Sequence, residues 1–290
     1  MVGSTLASGC TTLAGASGGN RAREHRLIDL HSHILPAIDD GSRTMEDSLE
    51  LCRIAAGDGI ASIVCTPHID FRYVNRRATI EDPFERLSEA ARQEGIALEL
   101  VKGAEVHMAP DILVKVREKE LMTYADMGRY LLLEFPFQQV ITGAEEMVYR
   151  LKLAGVTPVI AHPERIGYFM DDADRLFSLI RLGALGQVTG GSLTGQFGDK
   201  SERVGFTMIE RNLVHVVASD AHDTSYRRPE LAEPAQEVSR RFGEDRVRSL
   251  FVDTPRAILA GSDIEPPDPL EAPKRMKKIF AGWFGGPRQT

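Results

Sequence analysis

Cysteine is scarce: the chain holds three in 290 residues, at positions 10, 52 and 65. An odd number with no CxxC pair builds neither a disulfide framework nor a thiolate zinc site, and a reducing, cytoplasmic setting is expected. Positive charge is also short. Lys and Arg number 35 against 42 Asp and Glu, a formal net charge of −7, which argues against general affinity for nucleic acid, because phosphate backbones are bound by surplus Lys and Arg. Long apolar runs are missing as well. Nowhere do 18 apolar residues follow one another, so no transmembrane helix is expected. The first twenty-odd residues lack the basic start and continuous apolar stretch of a secretion signal, and Ala7-Ser8-Gly9-Cys10 lacks the apolar stretch that would make it a lipoprotein cleavage site.

What is present suits one large α/β domain. Seven apolar runs of strand length alternate with helical stretches: Leu27 to His33, Ile60 to Pro67, Ala97 to Glu105, Tyr130 to Phe135, Val156 to His162, Ala184 to Thr189, and Leu213 to Ala218. That alternation predicts a parallel sheet or barrel. Between the first two runs, Thr44-Met45-Glu46-Asp47 reads as a capping box, and Leu49, Cys52 and Ala56 continue one apolar helical face. The expected organisation is a flexible extension over 1–25, a catalytic domain over 26–262, and a disordered tail over 263–290. In that tail the stretch from Lys274 to Phe284 sets basic residues beside aromatic ones, which could touch anionic lipid.

The polar residues carry the chemistry. His31, His33, His68, Glu105, Glu134, His162, Asp220 and His222 fall at the carboxyl ends of the predicted strands, and in a barrel that rim is one site. His31 with His33, and Asp220 with His222, are two apart, so each pair projects to one face of an extended chain. A lone histidine on an apolar strand is ordinarily a core residue with one hydrogen bond. Five imidazoles and two Glu at matching strand ends, with Asp40 and Asp220 nearby, are hard to explain by packing, because uncompensated buried carboxylates cost several kcal/mol. Imidazole and carboxylate donors without thiolate suit manganese, zinc or iron.

These residues sit in recognisable motifs. Ile28-Asp29-Leu30-His31-Ser32-His33 and Ile38-Asp39-Asp40-Gly41-Ser42 resemble the opening of the polymerase and histidinol phosphatase (PHP) superfamily. Thr66-Pro67-His68, Gly103-Ala104-Glu105-Val106, Leu133-Glu134-Phe135, the stretch from Pro158 to Arg165, and the stretch from Leu213 to His222 are similar to its bacterial tyrosine-protein phosphatase branch, of the CpsB/CapC type. The similarity runs from about Ile28 to Leu259. It implies a distorted seven-stranded (β/α) barrel of PHP type and a centre of three divalent ions, usually manganese. It also implies action on phosphotyrosine of a bacterial tyrosine kinase controlling capsule or exopolysaccharide export. By the same resemblance His31, His33, Asp40, His68, Glu105, Glu134, His162, Asp220 and His222 are the nine ligands, with Glu105 bridging two ions. Arg165 takes the position of a phosphate-binding arginine. A second arginine is expected after the last metal motif, where Arg227 and Arg228 are adjacent; Arg228, before Pro229, is the expected one.

Three divalent ions would set six positive charges against four ligand carboxylates and so attract a phosphate dianion. Water activated at the ions could then attack phosphorus in line, with no covalent phosphoenzyme. The rival C-x5-R cysteine loop is missing, since Cys65 and Arg72 are separated by six residues, and Cys52 and Cys65 read as packing residues. His25 and His215 read as ordinary histidines, His107 as a candidate for substrate contact, and Glu164 as a solvated carboxylate beside Arg165, with steering of Arg165 as the alternative. Two other readings stay open: a phosphatase of a small ester such as histidinol phosphate, and a metal-stabilised regulator that binds phosphotyrosine without turning it over.

Overall fold

Nine short parallel strands follow one another around a curled sheet in the computed structural model, which describes residues 26–272. They are β1 (Leu27–Ser32), β2 (Ile60–Cys65), β3 (His68–Ile69), β4 (Glu99–Lys102), β5 (Glu105–His107), β6 (Tyr130–Glu134), β7 (Thr157–Ile160), β8 (Leu185–Thr189) and β9 (Val216–Ala218). One ladder joins β1-β2-β4, and a second joins β3-β5-β6-β7-β8-β9. Because β2 pairs with β4 and β3 with β5, two of the expected strands are each split into two pieces. Pro67 has no N–H to continue the first ladder, and its carbonyl instead accepts from the Glu105 amide at 3.1 Å. Gly103 marks the second break: a Cβ there would lie 2.7 Å from Val64 Cγ1, so only glycine lets the strands approach. The circle closes where the His33 amide donates to the Ala221 carbonyl at 2.7 Å and the Asp220 amide to that of His31 at 2.8 Å.

Alternation along the strands separates two cores. On β6, Leu131 and Leu133 pack into the large cluster under the helices, while Tyr130 and Leu132 join Val64, Val159, Leu185 and Val216 in a smaller one inside the barrel. Glu134 is next in the inward series, and so emerges at the carboxyl mouth. Helix Met45–Asp58 starts where expected. Thr44 Oγ1 accepts from the Asp47 amide at 3.1 Å, Asp47 Oδ2 accepts from the Thr44 amide at 3.2 Å, and Gly59 ends the helix with φ 95°. Its buried face includes Leu49 and Cys52, with Ala55 in place of the half-buried Ala56.

After the last helix the chain does not leave the domain at 262. Tyr130 Oη donates to the Ser262 carbonyl at 2.5 Å, and Leu270 exchanges hydrogen bonds with Arg211, amide to carbonyl at 2.8 Å and Nε to carbonyl at 3.0 Å. The extension over 1–25, with Cys10 and His25, and the basic aromatic stretch from Lys274 to Phe284 lie outside the described residues. No helix among the described residues is long and apolar enough to cross a membrane.

Candidate metal centre

The period of two on β1 sends both imidazoles into the mouth of the barrel, where His31 Nε2 and His33 Nε2 stand 3.0 Å apart. Each ring is held from behind. His33 Nδ1 donates to Asp39 Oδ2 at 2.8 Å, so that in the neutral ring Nε2 carries the lone pair, and Asp39 is itself fixed by the amides of Gly41 at 3.0 Å and His68 at 3.1 Å. Gly41 runs so close beneath His33 that a Cβ would fall 1.9 Å from the His33 carbonyl oxygen. His31 Nδ1 lies 2.8 Å from the Gln187 amide nitrogen, while the amide oxygen is buried with no partner. Exchanging the two amide atoms satisfies that oxygen with an Nδ1 proton and frees His31 Nε2 as a ligand.

All nine predicted residues converge. Three sets of donor atoms lie close enough to hold a metal: His33, Asp40, His68 and His222; His31, His33 and Glu105; and His68, Glu105 and Glu134. Glu105 is central, with Oε2 3.3 Å from His31 Nε2, 3.4 Å from His33 Nε2 and 3.0 Å from His68 Nδ1, and Oε1 3.0 Å from His162 Nε2. Asp220 Oδ1 adds contacts of 3.3 Å to His31, 3.5 Å to His33 and 3.6 Å to His222. His162 and Asp220 sit in left-handed backbone, at φ 33° and 54°. That conformation strains a residue with a Cβ, and such strain gathers at functional sites.

Electrostatics test whether a cation fits. Burial pushes the Glu105 carboxyl up, but charge on His31 and His68 and the bond from His162 overcome this and hold it well below the carboxylate range. The same balance of burial against His31 and Arg227 holds Asp220 low. Burial lowers His33, yet Asp39 and the other carboxylates raise it well above normal, whereas burial and repulsion from His33 push His222 down to about 2. The imidazoles therefore cannot all be protonated together, and Glu105 Oε2, His68 Nδ1 and His162 Nδ1 are buried with no hydrogen bond. Divalent cations would satisfy such a donor set without adding protons.

Two arginines overhang the cluster. Arg165 and Arg227 both donate to Asp220 Oδ2, and the Arg227 Nε is buried without a partner. Arg227, rather than the expected Arg228, therefore reaches the cluster. Asp223 accepts from the amides of Ser225, Tyr226 and Arg227, and the His222 amide donates to the Arg227 carbonyl at 2.8 Å. The tight turn points residue 227 inward; Arg228 faces solvent, 3.0 Å from Glu230. Glu164 is not the solvated carboxylate expected. It is fully buried, its Oε1 accepting from the Thr189 amide at 3.1 Å and Ser192 Oγ at 2.6 Å, which pins the turn that carries Arg165.

His215 is the packed residue expected: Nδ1 accepts from the Gly186 amide at 3.0 Å, and burial lowers its pKa to about 4. His107 stands at the rim, half-buried, with Nδ1 3.2 Å from Glu134 Oε2. Cys52 and Cys65 are buried free thiols, and burial pushes Cys52 up to about 12. Asp29, Asp39 and Gln187 were not singled out from the sequence. Asp29 is buried and accepts from Ser219 Oγ at 2.5 Å, tying β1 to β9. Its place two residues before His31 was the available signal.

Residues 27–260 match the model of a family described as "Capsular polysaccharide synthesis, CpsB/CapC". The chain belongs to the CpsB/CapC family. Among its relatives, the tyrosine-protein phosphatase YwqE of Bacillus subtilis is 34% identical, over 89% of this chain and 100% of that protein. The tyrosine-protein phosphatase CpsB of Streptococcus pneumoniae is 32% identical, over 80% and 98%. A crystal structure from work on YwqE and CpsB, described as unique metal-dependent tyrosine phosphatases, superposes with a TM-score of 0.82 at 34% identity, covering 86% of this chain and 100% of that one. The lactonase Lmo2620 of Listeria monocytogenes shares the fold alone, with a TM-score of 0.51 at 12% identity.

Proposed function

We propose that this CpsB/CapC chain is a metal-dependent protein-tyrosine phosphatase, acting on phosphotyrosine of a bacterial tyrosine kinase that controls capsule or exopolysaccharide synthesis. The observation that carries the reading is the convergence of His31, His33, Asp40, His68, Glu105, Glu134, His162, Asp220 and His222 beneath Arg165 and Arg227. In this reading the nine residues hold three divalent ions, manganese first, with iron or zinc as alternatives. Glu105, in contact with four imidazoles, would hold the ions from the middle of that set. When bound, the ions supply Lewis acidity toward the phosphoryl group and a nucleophilic water at neutral pH.

The side chains do the rest. Arg165 and Arg227 exchange their contacts with Asp220 for the phosphoryl oxygens, so that guanidinium forks orient the ester and neutralise charge that develops on it. Asp39 and Gln187 keep His33 and His31 facing the mouth. The leaving phenol has a pKa near about 10, so its oxygen departs with less protonation than an alkyl alkoxide needs. Manganese-loaded protein should release phosphate from a phosphotyrosine peptide faster than from histidinol phosphate, and chelated protein from neither. Preference for histidinol phosphate would overturn the substrate class. Tight peptide binding without release of phosphate would overturn the catalytic reading.

A further inference from the structure

Beside the phosphate-binding arginines the mouth carries an aromatic ring that the chemistry above leaves unused. Phe137 follows β6 on the loop at the rim and is 40% exposed, unusual for so large an apolar side chain next to a charged centre. It is not loose. Its carbonyl accepts from the Gly167 amide at 3.3 Å, and its ring lies nearly parallel to His162, with centroids 5.3 Å apart and planes at 19°. Arg165 stands between two rings, its guanidinium carbon 5.8 Å from the centroid of Phe137 and 4.3 Å from that of Phe197. Packing against His162 leaves part of Phe137 exposed to water beside Arg165.

We infer that Phe137 is a specificity-determining residue that receives the aryl ring of the substrate, an inference that rests on the phosphatase reading above. In an aryl phosphate the ring begins one oxygen from phosphorus, so a phosphoryl group held by Arg165 brings the ring to the rim where Phe137 is exposed. Offset or edge-on contact between the two rings then adds binding that an alkyl ester, with a tetrahedral carbon at that place, cannot gain. Arg165, steadied by Phe197, fixes the distance between the charged and aromatic subsites.

The test compares two phosphonates that cannot be hydrolysed, benzylphosphonate, whose methylene stands in for the ester oxygen, and ethylphosphonate, by calorimetric titration of manganese-loaded protein. Phe137→Ala should weaken benzylphosphonate roughly three- to tenfold, the size of an aromatic pair, and change ethylphosphonate by less than about twofold. Phe137→Tyr, which keeps the ring, should restore the difference. Parallel weakening of both ligands would overturn the inference, because the ring would then act only by holding His162 in place. An unchanged benzylphosphonate affinity would overturn it too. Turnover of a phosphotyrosine peptide by the unaltered protein is read separately, so failure of the phosphatase reading is distinct from failure of the aryl subsite.

Discussion

Replacing Arg227 and Arg228 one at a time discriminates between neighbours that spacing alone cannot separate. Arg227 reaches the buried Asp220 carboxylate and keeps an unpartnered Nε in the site, whereas Arg228 meets Glu230 at the surface, both side chains about two-fifths exposed. A charge-assisted hydrogen bond contributes about 1.5–3 kcal/mol, so Arg227→Ala should lower kcat/KM on a phosphotyrosine peptide by roughly 10- to 150-fold. An exposed ion pair is worth about 0–1 kcal/mol, so Arg228→Ala should cost less than about fivefold. Metal content should not fall in Arg227→Ala, because Asp220 loses a competitor for its oxygen. Arg227→Lys keeps the charge but not the fork, and should fall between. The assay is phosphate release at saturating manganese, with bound metal measured on the same samples. A larger loss in Arg228→Ala than in Arg227→Ala would refute the reasoning.

Other consequences follow from the same geometry. Glu105→Gln removes the charge shared by four imidazoles, and should lower bound metal and reduce kcat/KM by at least about a hundredfold; full metal content by elemental analysis would contradict a central place for Glu105 in metal binding. Asp39→Asn leaves His33 without its carboxylate and should weaken metal affinity about 10- to 100-fold in a chelator competition. His215 gives a pH effect apart from the metal site. Burial holds its folded pKa at about 4, against about 6.5 for a histidine in the unfolded chain, so the unfolded chain binds the extra proton. Stability is full above about pH 6.5, falls as pH drops toward 4, and loses on the order of 3 kcal/mol by then. His215→Gln should flatten that slope in urea unfolding at about pH 7 against about pH 4.5, which bracket most of that titration; an unchanged difference would remove His215 as its cause.

Legibility in the sequence followed the range of the interactions. The x-His-x-His and Asp-x-His spacings could be read because an extended chain repeats every two residues, and apolar runs marked which ends of the strands met. Thr44 and Asp47 were readable for the same local reason. Arg227 could not be told from Arg228 because its direction depends on the Asp223 side chain gathering three amides of the next turn, which adjacency to Pro229 does not reveal. Glu164 was misjudged because its partners, Thr189 and Ser192, come from a strand and helix more than twenty residues on. The return of 263–272 across Arg211 and Asn212 depends on long-range hydrogen bonds that composition does not encode.

Titrating chelated protein with manganese, while following both bound metal and phosphate released from a phosphotyrosine peptide, tests the account at its root. Activity should be absent without metal and rise in step with occupancy as ions fill the cluster around Glu105. Full turnover by protein shown to be metal-free would contradict it.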